Sequence, residues 1–140
     1  MNLATGQVVR GYELHEPLGI GGFGAVYRAY QPAVKRDVAI KIILPQYANQ
    51  PDFIRSFEAE AQLVARLEHL HIVPLYDYWR EPNGAYLVMR WLRGGNLRGK
   101  LQEGPLDLDA VAIMLDQTAG ALTVAPRRGV IHRDIKPDNI

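Results

Sequence analysis

Residues 19–30 read Gly19-Ile20-Gly21-Gly22-Phe23-Gly24-Ala25-Val26-Tyr27-Arg28-Ala29-Tyr30, and the part after Gly24 distinguishes two fold classes. A dinucleotide-binding turn has the same Gly-x-Gly-x-x-Gly spacing, but its third glycine opens a helix and an acidic residue follows about 20 residues later. Asp37 would have to fill that acidic position. Residues 25–30 instead alternate apolar and polar side chains and include β-branched and aromatic ones, which is typical of a strand. The sequence therefore predicts a glycine-rich turn between two strands and disfavours a dinucleotide-binding fold.

The composition is that of an ordinary globular segment with a hydrophobic core. The 140 residues include 48% apolar residues, 16 basic and 15 acidic residues, giving a formal charge of +1. Such a balanced charge argues against nucleic acid as a partner. The absence of cysteine excludes disulfides and thiolate metal sites, and it fits a reducing, cytoplasmic compartment.

Nothing in residues 1–140 has the pattern of a targeting or membrane segment. Residues 1–7 lack the basic and apolar regions of a signal peptide. The longest apolar stretch, Val38 to Leu44, is interrupted by Lys41 and is far shorter than the roughly 20 residues that a membrane span needs. We therefore expect a soluble segment, with no membrane span within it.

The hydrophobic period changes from strand-like to helical along the chain. The predicted strands are residues 12–18, 25–30, 37–43, 75–80 and 85–89. The predicted helices are residues 52–68 with Asp52 as N-cap, 97–102, and a long helix from Leu108 that Asp107 caps and that ends near Pro126. The expected fold class is α+β, with a five-stranded antiparallel sheet, one inserted helix and further helices after it.

Lys41 lies among apolar residues of the third predicted strand, Val38-Ala39-Ile40-Lys41. A lysine there is either solvated at a sheet edge or placed against an anion, since burying an unpaired charge costs free energy. Glu60 on the following helix is a candidate partner, and Glu58 is its rival. Residues two positions apart on a helix point in different directions, so only one of them can pair with Lys41.

The segment His132-Arg133-Asp134-Ile135-Lys136-Pro137-Asp138-Asn139-Ile140 has the His-Arg-Asp-x-x-x-x-Asn spacing of a protein kinase catalytic loop. Together with the glycine turn and Lys41, in that order, it makes residues 12–140 resemble the eukaryotic-type protein kinases, in particular bacterial serine/threonine kinases. The resemblance implies a kinase-like fold that binds ATP and Mg²⁺ and phosphorylates serine or threonine on protein substrates.

The resemblance also implies roles for individual residues. Asp134 would accept or orient the proton of the substrate hydroxyl, Lys136 would steady the γ-phosphate, and Asn139 would bind Mg²⁺. Lys41 would hold the α- and β-phosphates and pair with Glu60. The nucleotide would contact the glycine turn, the adenine pocket, the gatekeeper residue and the hinge. The residues that form these parts would be Leu18, Gly19, Gly21, Gly24, Val26, Ala39, Met89, Trp91 and Leu92.

The same resemblance predicts the domain organisation. Residues 1–11 would form a leader, residues 12–89 the N-lobe, residues 90–95 the hinge, and residues 96–140 the start of the C-lobe. An Asp-Phe-Gly motif and an activation loop are expected after Ile140, so we expect residues 1–140 alone to be inactive. The alternative is a truncated, non-catalytic nucleotide-binding or interaction module. In residues 1–140 alone, the long helix would lack its usual partners in the larger lobe and expose its apolar stripe, which predicts marginal folding or aggregation.

Overall fold

The computed structural model describes residues 5–127 and 139–140, and these form two compact units. The first unit comprises residues up to 65 together with residues 74–91. The second comprises residues 66–73 together with residues 92–140.

The first unit is built on an antiparallel sheet with the strand order β1-β2-β3-β4-β6-β5. The strands are β1 (Val8–Val9), β2 (Tyr12–Gly21), β3 (Gly24–Gln31), β4 (Arg36–Ile43), β5 (Leu75–Glu81) and β6 (Gly84–Arg90). The predicted strands are thus confirmed, and the described sheet has six strands rather than the five expected. The additional strand is β1, in which Val8 pairs with Glu13 and Val9 with Tyr12.

The described α-helices of the first unit are α1 (Pro45–Ala48) and α2 (Pro51–Ala65), and a short 3-10 helix spans Pro32–Val34. The prediction for α2 was wrong at both ends, because the helix begins at Pro51 and ends at Ala65. Proline is well suited to the first helical position, where no backbone N–H is needed. Asp52 therefore lies in the first turn rather than at the N-cap. The ring of Phe57 packs edge-on against Tyr78, with centroids 6.2 Å apart, so an apolar side of α2 faces β5.

The core of the first unit lies on one face of the sheet. Along β4 and β6 the core residues alternate with residues of the other face, as the period of two in a strand requires. The core contains Val9, Tyr12, Leu14, Ala29, Val38, Ile40, Ile42, Trp79, Tyr86 and Val88. The side chains on the opposite face of these strands do not belong to this core.

The second unit contains α3 (Leu97–Gln102) and α4 (Leu108–Arg127). Both N-termini are capped by side chains, since Asn96 Oδ1 accepts from Gly99 N at 3.0 Å and Asp107 Oδ1 accepts from Ala110 N at 2.7 Å. The predicted cap at Asp107 is thus confirmed. The helix extends one residue past Pro126, close to its predicted end.

Helix α4 exposes apolar side chains, as expected. Leu108 is 87% exposed, and Ile113 and Leu115 are each 58% exposed. Its residues Leu108–Ala125 are also long and apolar enough to cross a membrane by length and composition alone, a property that core helices of soluble proteins share. Length and composition alone do not show a membrane span, so the expectation that residues 1–140 contain none stays a prediction.

Candidate functional site

The glycine-rich turn joins β2 to β3. We call residues 19–24, which form this turn and the adjoining strand ends, the glycine flap. The strand after Gly24 excludes the dinucleotide-binding turn, which needs a helix there. A Cβ at Gly24 would lie 1.8 Å from the carbonyl oxygen of Ile42, so the packing of β3 on β4 requires glycine at this position. A Cβ at Gly19 would meet no described heavy atom within 4 Å, and one at Gly21 would meet only the Gly24 carbonyl oxygen at 4.0 Å. Packing among the described residues therefore requires only the last of these three glycines.

The tip of the glycine flap is held against the short helix α1. The carbonyl oxygen of Phe23 accepts a hydrogen bond from the backbone N–H of Leu44 at 2.9 Å. The ring of Phe23 packs on Tyr47 with centroids 4.7 Å apart. The residue after α1, Asn49, donates to the carbonyl oxygen of Pro82 at 3.0 Å, which ties α1 to the β5–β6 turn. These contacts connect the flap tip to the body of the sheet.

Lys41 lies on the sheet face opposite the core. Its neighbours along β4, Ile40 and Ile42, are buried in the core, whereas Lys41 is exposed. Its cross-strand partners are Val26 on β3 and Leu87 on β6. Side chains of directly opposed residues share a face, so Val26 and Lys41 are neighbours there. Val26 in turn pairs with Gly19, which brings the base of the glycine flap into the same row.

The next row along this face contains two further residues of the predicted adenine pocket. Ala39 pairs with Met89 on β6 and with Arg28 on β3. Ala39 is buried and Met89 is partly buried. Leu18, which the sequence also assigned to this pocket, is 44% exposed on the irregular part of β2. The structure thus brings Gly19, Val26, Ala39, Lys41 and Met89 onto adjacent rows of the sheet.

The predicted Lys41–Glu60 ion pair is not formed in this structure. Among the described residues, no salt bridge within 4.0 Å joins Lys41 to Glu60 or to Glu58. All three side chains are exposed. Two solvated charges gain little free energy by pairing, so the sheet and α2 can form without this contact.

Arg28 makes three hydrogen bonds to carboxylates in the first unit, and no motif in the sequence predicts a role for it. Its Nε and Nη2 atoms donate to the two carboxylate oxygens of Glu16 at 2.7 and 2.9 Å, and Nη1 donates to Asp37 Oδ1 at 3.2 Å. Its guanidinium also lies over the Trp91 ring, 5.6 Å from the centroid. We call Arg28, Glu16, Asp37 and Trp91 the arginine cluster. The Arg28 hydrogen bond lowers the pKa of Glu16 from its ordinary 4.5 to about 2, and the pKa of Arg28 is raised in turn.

The second unit contains the remaining candidates that the structure describes. Leu92 is exposed, in the segment before α3. Asn139 is adjacent to Ile140, whose carbonyl oxygen accepts from the backbone N–H of Leu97 at 2.6 Å. This places the end of the chain beside the first residue of α3.

Two of the predicted catalytic residues, Asp134 and Lys136, lie outside the described residues. Among residues 5–127 and 139–140, no three His, Cys, Asp or Glu side chains lie close enough together to hold a metal ion. Mg²⁺ prefers oxygen ligands and is usually bound through one or two protein groups together with waters and substrate phosphates, and the amide oxygen of Asn139 is a ligand of this type.

Comparison with known proteins identifies the family. The protein kinase domain family matches residues 12–140. The chain is 43% identical over 131 residues to the serine/threonine-protein kinase PknD of Mycobacterium tuberculosis, covering 92% of this chain and 20% of that protein. It is 34% identical over 130 residues to a probable serine/threonine-protein kinase of Clostridium acetobutylicum, again covering 92% of this chain and 20% of that protein.

Solved structures agree with the sequence comparison. The crystal structure of the M. tuberculosis PknI kinase domain matches with a TM-score of 0.89 and 30% identity, covering 99% of this chain and 56% of that one. The chain belongs to the protein kinase family, and its fold is the protein kinase fold. It spans about a fifth of the length of these curated relatives and little more than half of the solved kinase domain.

Proposed function

We propose that the complete protein containing this chain transfers the γ-phosphate of ATP to serine or threonine hydroxyls of protein substrates. Family membership supports phosphoryl transfer, and the two relatives named above are a serine/threonine-protein kinase and a probable serine/threonine-protein kinase. The cofactors are ATP and Mg²⁺, which neutralises charge on the phosphates in this family.

The observation that carries the proposal is the open backbone of two glycines of β2, of which Gly19 lies in the row of Lys41 and Gly21 lies two residues further along the strand. Neither glycine is required by contacts with described atoms, and neither has a positive φ. Glycine at these positions leaves room for an external group to approach the backbone N–H donors, which is how glycine-rich turns bind phosphates. The exposed ammonium of Lys41 supplies a complementary charge in the row of Gly19.

The remaining roles follow the family pattern at matching positions. Val26, Ala39 and Met89 line the adenine pocket together with Leu18, and Trp91 and Leu92 supply hinge groups. Asp134 orients the substrate hydroxyl, Lys136 steadies the transferred phosphate and Asn139 contributes to the Mg²⁺ site. Glu60 pairs with Lys41 when nucleotide is bound. This requires the two side chains to come within ion-pairing distance, although they are not within that distance in the structure described above.

Residues 1–140 contain no Asp-Phe-Gly sequence, so this segment alone has no aspartate for the second metal contact of the family. Catalysis of phosphoryl transfer consists almost entirely of positioning and charge stabilisation. We therefore expect residues 1–140, produced alone, to show no phosphoryl transfer above background. Magnesium-dependent transfer by this segment that disappears with Lys41→Met would contradict this expectation.

ATP affinity of the complete protein tests the nucleotide site. Titration calorimetry with ATP and Mg²⁺ compares Lys41→Met with Lys35→Met, a control that removes an exposed lysine from the turn before β4. We expect Lys41→Met to weaken binding by about tenfold or more, the loss of a charge-assisted contact to phosphate, and the control to bind as the wild type does. Equal affinities for the two variants would refute the assignment of Lys41.

A further inference from the structure

Arg28 joins four separate segments of the first unit through one side chain. Glu16 is on β2, Arg28 on β3, Asp37 on β4, and Trp91 directly follows β6. The Arg28 side chain is only 23% exposed, and all three of its nitrogen atoms donate to carboxylate oxygens. Three of the five N–H donors of the guanidinium are engaged in this way. These contacts are those of a connector between strands.

The arginine cluster lies where backbone pairing between β2 and β3 is irregular. From the pair Leu14–Ala29 to the pair Gly19–Val26, β2 advances five residues and β3 only three. The irregular stretch contains Pro17, which has no backbone N–H to donate. Bulges of this kind redirect a strand and interrupt its ladder. The two hydrogen bonds from Arg28 to Glu16 supply a cross-strand connection within that stretch.

The irregular stretch leads directly into the predicted nucleotide site. Glu16 is separated by one residue from Leu18, and Gly19 follows. On the other side, Arg28 is directly opposite Ala39, which is directly opposite Met89. The guanidinium also packs on Trp91 of the predicted hinge. The path of β2 above the adenine pocket and the placement of the hinge side chain therefore depend on the same group.

We propose that Arg28 is a positioning residue for the adenine end of the nucleotide, acting through Glu16 and Trp91. The inference rests on the proposed ATP site. Its consequence is that the arginine cluster sets nucleotide affinity, because it preorganises the pocket before the ligand binds. The rate of transfer at saturating ATP is set by other groups and stays nearly unchanged when Arg28 is altered.

The test is steady-state kinetics of the complete protein with ATP as the varied substrate. Arg28→Met keeps an unbranched side chain but removes the charge. Arg28→Lys keeps the charge but cannot make the two parallel hydrogen bonds of the guanidinium. Glu16→Gln keeps the shape of the side chain but removes its negative charge. Arg55→Met is the matched control, since Arg55 is a 71%-exposed arginine of α2 that pairs with a carboxylate of its own helix.

We expect Arg28→Met to raise KM for ATP about three- to tenfold, the range of a partly exposed ion-pair network, with kcat within about twofold of wild type. Arg28→Lys should lie between Arg28→Met and wild type, Glu16→Gln should raise KM in the same direction, and Arg55→Met should have no effect. The dissociation constant of adenosine, measured by calorimetry, should rise by the same factor as KM.

Two outcomes would overturn the inference, and they are distinguishable. If the wild type transfers phosphate and KM for ATP is unchanged in Arg28→Met and Glu16→Gln, only the positioning role of Arg28 is refuted. If kcat and the thermal midpoint of these variants fall while KM stays constant, Arg28 has a merely structural role. If wild type neither binds ATP nor transfers phosphate, the proposed function fails and the inference fails with it. Glu16→Gln decides the question even if Arg28→Met does not fold.

Discussion

Gly24→Ala tests whether the packing of β3 on β4 requires glycine at this position of the flap. The added Cβ would lie 1.8 Å from the carbonyl oxygen of Ile42 and 2.9 Å from its carbonyl carbon. Both are backbone atoms, so relief requires a shift of one strand against the other rather than a side-chain rotation. Overpacking of this kind costs about 1–3 kcal/mol, and losing one ladder hydrogen bond adds about 1 kcal/mol. The expected local destabilisation is therefore about 2–4 kcal/mol.

Native-state hydrogen exchange of the complete protein measures this local effect. A loss of about 2–4 kcal/mol corresponds to exchange about 30 to 1000 times faster at the amides of β3 and β4. Gly22→Ala is the matched control, because a Cβ there meets no described atom within 4 Å. It should leave exchange in these strands within about threefold of wild type. Equal protection of β3 and β4 in the two variants would refute the steric argument.

Three further predictions concern other contacts. The pKa of Glu16 is depressed to about 2 by Arg28, so its stabilising contribution is complete above pH 4.5 and is lost as the pH falls towards 2. Thermal midpoints of wild type and Glu16→Gln should therefore differ at neutral pH and converge on acidification; a difference independent of pH between 2 and 7 would contradict this. Asp107→Ala removes the cap of α4 and should cost about 1 kcal/mol in the stability of that helix; hydrogen exchange in its first turn that does not change would contradict the cap's contribution. Tyr47→Ala removes the ring that holds Phe23 and should make the flap-tip amides exchange faster while leaving β5 and β6 protected; an unaltered flap tip would show that the ring contact does not hold it.

Much of the sheet could be predicted from the sequence because its residues alternate between a core face and an opposite face. The same alternation correctly separated a strand from a helix after Gly24 and so disfavoured the dinucleotide-binding fold. The two-residue strand Val8–Val9 was missed because so short a segment has no period to detect. The four-residue helix at Pro45–Ala48 was missed for the same reason. The start of α2 was misjudged because Pro51, and not Asp52, marks the first turn.

The candidate site was predictable only where residues are close in sequence or belong to a recognisable motif. The glycines and Lys41 were found from their spacing and surroundings. Arg28 was not, because its contacts with Glu16 and Trp91 depend on the register of β2 and β3, including an irregularity that hydrophobic alternation does not reveal. One indication was available, since Arg28 shares the strand parity of Val26 and so had to lie on the same face.

The central claim is that the complete protein is a serine/threonine kinase, and direct detection of the phosphorylated product tests it most directly. The complete protein, with ATP carrying a labelled γ-phosphate and Mg²⁺, is incubated with a protein substrate such as casein, and the modified residues are identified by mass spectrometry. The account predicts label on serine or threonine, lost in Asp134→Asn although ATP still binds to that variant. No transfer by the wild-type protein despite tight ATP binding, or transfer unaffected by Asp134→Asn, would contradict it.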